Sequence, residues 1–299
     1  MLDIVIIGSG PAGITAAIYA KRANLNVAVV EKEYLGTGQI AESSRVDNYP
    51  GIPGIDGYSL GEKFREHAES LGVEFTEAQV LSLGQKDGIW IIGCDEDITL
   101  ESKAVIYATG CKNRPLGVPG EEKYYGRGLS FCAVCDGAFY KGKRVAVIGG
   151  GDTALDDAMY LSDICEKVYL VHRREFFRGS ASTLEKLKQK ENVEIIVNVR
   201  VEEITGDKKI DGIILDNKTK LNISGLFAAV GMIPQTELLK EFGVLDESNY
   251  VKASEDTKTT VNGLFAAGDV RTKQLRQVVT AAADGANAIY SVMEYLRNI

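Results

Sequence analysis

One pattern occurs twice in this chain, and it limits the possible architecture more than any other feature. The run Leu2-Asp3-Ile4-Val5-Ile6-Ile7 is rich in β-branched residues and ends at Gly8-Ser9-Gly10-Pro11-Ala12-Gly13, after which Ile14, Ala17, Ile18 and Lys21 follow at helical spacing. The spacing predicts a strand, a tight turn and a helix. In such a turn the first glycine permits the bend, and the second lets backbone approach a pyrophosphate. The third lets helix and strand pack closely, with the anion at the helix N-terminus. The next apolar run, Val27 to Val30, ends at Glu31, 23 residues after Gly8, where a carboxylate can accept ribose hydroxyls. Together these features predict a dinucleotide site.

The pattern returns at Arg144-Val145-Ala146-Val147-Ile148, which leads into Gly149-Gly150-Gly151-Asp152-Thr153-Ala154 and a helix carrying Leu155, Ala158, Met159 and Leu161. Ala154 in the third position still allows close helix packing. The strand Lys167 to Val171 then delivers His172, again 23 residues past the first glycine, so His172-Arg173-Arg174 holds the place of the acidic residue. Guanidinium groups there pair with a 2′-phosphate, and Arg178 lies close enough to add to them. The second site is therefore expected to prefer NADP over NAD, whereas Glu31 suits an unphosphorylated adenosine ribose such as that of FAD. The alternative, that the basic cluster is a solvated patch, is weakened by its register with the first motif. A nicotinamide donor beside a flavin acceptor implies hydride transfer. A fainter echo, Gly225-Leu226-Phe227-Ala228-Ala229 and Gly263-Leu264-Phe265-Ala266-Ala267, hints at a duplicated nucleotide-binding fold.

Between the two motifs lies Phe131-Cys132-Ala133-Val134-Cys135-Asp136-Gly137, with 14 positions from Cys135 to Gly149, so the cysteine pair belongs with the second motif. A two-residue spacer suits either a reversible disulfide or half of a zinc site. Zinc would need two further ligands. The other cysteines, Cys94, Cys111 and Cys165, are scattered and the chain offers only His67 and His172, so redox chemistry is the expectation and no metal is expected. If the pair opens a helix, the helix dipole would favour the thiolate that performs exchange. Asp136 is either the Asp-Gly of a turn or a proton carrier for the dithiol.

Composition bounds the rest. The 299 residues are 45% hydrophobic, enough for a sizeable core and long enough for two domains. Against 42 acidic residues stand 34 basic ones, net charge -8 with no basic block, which argues against nucleic acid or an anionic membrane as partner. The opening lacks a cationic region, and no apolar run is long enough for a signal peptide or membrane span. Five cysteines with only two closely spaced do not form the framework of a small secreted domain, so the expected compartment is the reducing cytosol.

Taken in order, Gly8-x-Gly10-x-x-Gly13, Thr37-Gly38-Gln39, Asp47-Asn48-Tyr49-Pro50-Gly51, Ala108-Thr109-Gly110, the Cys-x-x-Cys-Asp-Gly segment, Gly149 to Ala154, His172-Arg173-Arg174 with Arg178, Gly268-Asp269 and Arg276-Gln277-Val278 resemble the low-molecular-weight bacterial thioredoxin reductases from end to end. These are NADPH-dependent FAD disulfide reductases. The resemblance implies an α/β protein of two Rossmann-like domains, with an FAD domain split into residues 1–112 and 243–299 around an NADPH domain at 113–242 that carries the redox cysteines. It implies FAD held by Gly8, Gly10, Pro11, Ala12, Gly13, Glu31, Lys32, Gly38, Gln39, Asn48, Gly110, Gly268, Asp269, Arg276, Gln277 and Val278. For NADPH it implies Gly149, Gly151, Asp152, Thr153, Ala154, His172, Arg173, Arg174 and Arg178. By the same resemblance Cys135 faces the flavin, Cys132 attacks the thioredoxin disulfide, Asp136 serves as acid and base, and the protein is a homodimer.

Flavin in one domain, with nicotinamide and cysteines in the other, demands that both reach the isoalloxazine in turn, so a rotation about the crossings near 112 and 243 is expected. The chain departs from the usual family pattern at the Ala133-Val134 spacer, at Thr37-Gly38-Gln39 and at Gly231 to Thr236. The rivals are less well matched. A peroxiredoxin's flavoprotein partner usually has an extra N-terminal thioredoxin-like portion, whereas residue 3 here already begins the FAD strand. A ferredoxin-dependent variant would not need the intact glycine turn with Arg173 and Arg174, and a reductase of ferredoxin itself would not need Cys132 and Cys135. An NADP-sensing disulfide switch differs from all of these in lacking turnover. The physiological acceptor among thioredoxin-like carriers is not written in the sequence.

Overall fold

A computed structural model of the chain describes residues 1–33, 37–43 and 45–299. In chain order the first stretch contains β1 (Leu2–Ile7), α1 (Pro11–Arg22), β2 (Val27–Glu31), α2 (Gly57–Ser70), β3 (Glu74–Glu77), β4 (Val80–Lys86), β5 (Ile89–Cys94), β6 (Thr99–Tyr107) and β7 (Cys111–Asn113). The middle contains β8 (Leu129–Ser130), α3 (Ala133–Asp136), β9 (Arg144–Gly149), α4 (Asp152–Ser162), β10 (Lys167–His172), α5 (Ala181–Lys188) and β11 (Val193–Val197). It continues through β12 (Val201–Thr205), β13 (Gly212–Leu215), β14 (Lys220–Asn222) and β15 (Gly225–Ala229). The return contains β16 (Met232–Pro234), β17 (Leu264–Ala266) and α6 (Val278–Leu296). Two compact units result, one made of Met1–Lys112 with Ile233–Ile299, the other of Asn113–Met232. The strands at the two crossings, β7 and β16, pair as a two-stranded ribbon.

Each unit is built on the same parallel frame. In the first, β3-β2-β1-β6-β17 lie side by side and parallel, and the antiparallel hairpin β4-β5 joins the outer half of β6. In the second the order is β11-β10-β9-β15-β8, all parallel, with β12-β13-β14 as a separate antiparallel sheet. Strands buried on both faces read as continuous apolar runs, which is why β1 and β9 carry hydrophobic residues at nearly every position. Alternation then sorts them. Ile4 and Ile6 pack with Ala16, Ala17, Ala20 and Ile289 from α1 and α6, whereas Val5 and Ile7 face Trp90, Ile92 and Leu239. In β9, Val145 and Val147 meet Leu155, Ala158 and Leu161 of α4, and Ala146 and Ile148 meet Ile204, Ile213 and Leu221 of the small antiparallel sheet. In the second unit helix, parallel sheet and smaller sheet thus form three layers, whereas in the first the hairpin β4-β5 continues the main sheet.

Two details differ from the sequence reading. The segment after the return crossing packs with the first unit, burying Leu239 and Val244 beside Trp90, so that crossing lies between Met232 and Ile233. The five-residue echo does not mark corresponding strands: β15 lies beside β9, while β17 is one place further out, beside β6. The duplication is carried by the glycine turns and strand order instead.

Candidate active site

The cysteines sit on a short helix held up by a buried residue. Cys132 and Cys135 are joined as a disulfide across the start of α3, and Ala133 between them is fully buried while Val134 is 58% exposed. Cys132 occupies the cap position, and the Cys135 backbone N–H donates to its Sγ at 3.2 Å. Asp136, which ends the same turn, is tied in by Ser130, whose hydroxyl donates to Asp136 Oδ2 at 2.6 Å and accepts from the Cys132 N–H at 3.1 Å. Burial pushes the Asp136 carboxyl above the ordinary range, with the Ser130 hydrogen bond opposing. A disulfide, an N–H aimed at the cap sulfur and a half-buried carboxyl of raised proton affinity therefore share one turn.

The second unit also holds the Gly149 turn. It closes over α4, whose Asp152 accepts from Ser180 N–H at 2.7 Å, while Arg178 N–H donates to the Gly150 carbonyl at 2.7 Å. These bonds fold the Arg173–Arg178 loop back onto the glycine turn. His172 points inward: a Cβ on Gly150 would sit 2.2 Å from its ring, which also packs on Phe177 and has Nε2 3.2 Å from the Phe176 carbonyl. Burial, reinforced by Arg173, Arg174 and Arg178, holds the imidazole below its usual pKa. His172 thus braces the turn from the inside. The charge comes from Arg173, Arg174 and Arg178, all exposed and without an ion-pair partner among the described residues.

In the first unit the Gly8–Gly13 turn packs against its own strand so tightly that a Cβ on Gly13 would lie 1.9 Å from the Gly8 carbonyl oxygen. Glu31, at the end of β2, accepts from Ser9 N–H at 2.9 Å and Ser9 Oγ at 3.0 Å, which fixes its carboxylate at the turn. The Lys32 ammonium instead lies 3.5 Å from Glu33. Gly38 and Gln39 open the 3₁₀ turn Gly38–Glu42, whose start abuts Gly10. Asn48 Nδ2 donates to Gln277 Oε1 at 2.8 Å, joining residues 229 positions apart, and Gln277 caps α6 just before Val278. Gly110 follows β6, and Gly268-Asp269 forms a turn after β17. Arg276 bridges that turn, with Nε donating to the Asp269 carbonyl at 3.2 Å and its guanidinium 4.2 Å from the Tyr250 ring centre.

Comparison with known proteins follows the same outline. A family model for pyridine nucleotide-disulphide oxidoreductases matches residues 2–285. The chain belongs to the pyridine nucleotide-disulphide oxidoreductase family. Within it, the chain is 38% identical over 305 residues to a thioredoxin reductase of Bacillus subtilis, covering 99% of this chain and 95% of that one. It is 40% identical over 310 residues to a thioredoxin reductase of Helicobacter pylori, covering 100% of both. Its fold superimposes on the crystal structure of thioredoxin reductase from Streptococcus pyogenes with a TM-score of 0.93 at 40% identity, covering 100% of this chain and 99% of that one. The fold class and the disulfide chemistry expected from the sequence are those of this family.

As a pyridine nucleotide-disulphide oxidoreductase, the chain should leave polar groups for a nucleotide, and it does. Asp269 Oδ1 and Thr37 Oγ1 are buried yet have no hydrogen-bond partner among the described residues. Burial raises the Asp269 carboxyl above its usual range, and Lys273 and Arg276 pull it back. Orphaned acceptors beside a glycine turn fit the hydroxyl-bearing chain of a dinucleotide. Sequence reasoning missed Ser130, Ser180 and Tyr250, and singled out Thr37 only as a departure from the family pattern. Ser130 lies six residues before Asp136 and Ser180 twenty-eight after Asp152, pairings that only the folded loops create.

Proposed function

We propose that this chain is an NADPH-dependent flavoprotein reductase of the disulfide of thioredoxin. The carrying observation is the Cys132–Cys135 disulfide with Asp136 behind it, on the unit whose Gly149 turn is rimmed by three arginines without an ion-pair partner among the described residues. Full-length similarity to curated thioredoxin reductases supports the acceptor. FAD would be held in the first unit by the Gly8–Gly13 turn, Glu31, Gln39, Asn48, Asp269 and Arg276 to Val278. NADPH would be held in the second unit by the Gly149–Ala154 turn and by Arg173, Arg174 and Arg178. When bound, FAD would accept a hydride from NADPH and pass two electrons to the disulfide.

The chain's own residues do the thiol chemistry. In the reduced pair the Cys135 N–H stabilises a Cys132 thiolate, which attacks one sulfur of the substrate disulfide and releases the other as thiolate. The Cys135 thiolate then attacks Cys132 Sγ, re-forming the internal disulfide and releasing the second substrate sulfur. Asp136, whose affinity for a proton is raised by burial and whose carboxyl is oriented by Ser130, delivers a proton to a leaving thiolate and recovers it from solvent.

Because the flavin and the cysteines belong to different units, each half-reaction needs its own pose, and the paired crossings β7 and β16 are the expected hinge. No helix among the described residues is long and apolar enough to cross a membrane. A cytoplasmic setting and a homodimer complete the reading. The cytoplasmic setting is supported by three buried free thiols and the dimer by the family resemblance, with light scattering as the check on assembly. The test is anaerobic titration with NADPH followed by thioredoxin. Cys135→Ser should let NADPH bleach the flavin yet leave thioredoxin oxidised; acceptor turnover in that variant would sink the assignment.

A further inference from the structure

Three charged side chains lie buried together just behind the Gly268-Asp269 turn, and the chemistry above uses none of them. Arg271, Lys273 and Asp284 have side chains only 7%, 6% and 5% exposed. Asp284 lies in the second turn of α6. Its Oδ2 accepts from Gly268 N–H at 2.9 Å, Arg271 Nε at 2.8 Å and Lys273 Nζ at 2.9 Å, and its Oδ1 from Arg271 Nη2 at 2.6 Å. Arg271 Nη1 donates onward to the Ala253 and Thr272 carbonyls at 3.2 and 3.0 Å.

Such a cluster is poorly explained by stability. Removing each ion from water costs several kcal/mol, and apolar residues of similar volume often hold a fold equally well. What the cluster does is fix one turn. Gly268 has φ +82, and a Cβ there would lie 2.9 Å from Ala12 Cβ, so the turn is pressed against the first turn of α1 and its N–H must point into Asp284. The Asp269 carbonyl is held by Arg276 Nε and by Cys111 Sγ at 2.9 Å, and Arg276 Nη2 donates to the Arg271 carbonyl at 3.3 Å. The backbone is fixed from several sides, while the Asp269 side chain keeps one buried oxygen without a partner among the described residues.

We propose that Arg271, Lys273 and Asp284 are positioning residues of the flavin site, locking the Gly268-Asp269 turn through the Asp284 carboxylate so that the free oxygen of Asp269 meets a cofactor hydroxyl. This inference rests on the flavoprotein reading. The charges facing Asp269 are Lys273, Arg276 and Asp284; Cys111, pushed up to about 11 by burial, and Tyr250, also raised by burial, stay neutral in the working range. Lys273 is thus the buried cation whose loss leaves the Arg271–Asp284 pair intact while letting Asp269 take a proton more readily.

The experiment is fluorescence titration of the flavin-free full chain with FAD between about pH 5 and 9. Lys273→Met should bind FAD about tenfold more weakly near neutrality, equivalent to about 1.4 kcal/mol, with affinity that rises more steeply as pH increases. Lys273→Arg should restore both. Asp284→Asn strands two buried cations and should lose FAD together with thermal stability. Lys273→Met with wild-type affinity and pH profile would overturn the proposal, even if its melting temperature fell. A wild-type chain that takes up no FAD would sink the flavoprotein reading and this inference with it.

Discussion

The two glycine turns are copies of one device tuned in opposite ways. Both follow a central parallel strand, both open a helix, and both face a strand end 23 residues on. At that strand end the first unit places Glu31, whose carboxylate folds back to bond Ser9, and the second places His172, whose ring is buried under Gly150 while arginines take the exposed positions. The third turn position differs too, with no room for a Cβ at Gly13 and a buried methyl at Ala154. The frame fixes where a pyrophosphate lies, and a few residues at the rim choose the nucleotide.

The comparison breaks first at the third position. Gly13→Ala should cost more than about 4 kcal/mol and abolish flavin retention, because its Cβ would sit 1.9 Å from a backbone oxygen, that of Gly8. Ala154→Gly should cost only about 1 kcal/mol, the usual helix penalty. Calorimetry on both variants checks the asymmetry, and equal losses would refute it. Next comes the rim. Arg173→Glu with Arg174→Glu should lower kcat/KM for NADPH about 100-fold and spare NADH, since charge-assisted bonds to phosphate are worth about 1.5–3 kcal/mol each. The mirror change Glu31→Gln should weaken FAD only about tenfold, as one charged acceptor is lost.

The smallest effect concerns Asp157, eight residues past Gly149, where the first unit has fully buried Ala16 eight past Gly8. Burial, helped by Asp156, pushes the Asp157 carboxyl up to about 7. Its folded form therefore favours the proton, and that advantage fades as pH rises from the unfolded value of 3.8 through about 7. Asp157→Asn should melt with the wild type near pH 4 and be more stable by about 1 kcal/mol above pH 8, a figure reduced for partial exposure. A pH-independent difference would argue against the buried charge.

Much of this was legible in the sequence, because turn geometry imposes hard demands on a few consecutive residues. Gly8 to Gly13, Gly149 to Ala154 and the cysteine pair are all such local constraints. What escaped was long-range or inward-facing. Asp284 meets Arg271 only because α6 docks behind the β17 turn, and Asn48 finds Gln277 across 229 positions. His172 looked like part of a charged rim because its neighbours are arginines, yet strand alternation turns it into the interior. The return crossing drawn near 243 lies instead at Met232, between Gly231 and Pro234. It is set by where Leu239 and Val244 are buried.

That the first unit is assembled from both ends of the chain bears on its birth. During synthesis the second unit's residues, 113–232, all emerge before β17 and α6 exist, so it can finish folding while β1 to β6 still lack an edge strand and a covering helix. The half that is translated first therefore matures last. Flavin incorporation should coincide with release of the final helix from the ribosome, and nascent chains stalled before residue 264 should emerge colourless.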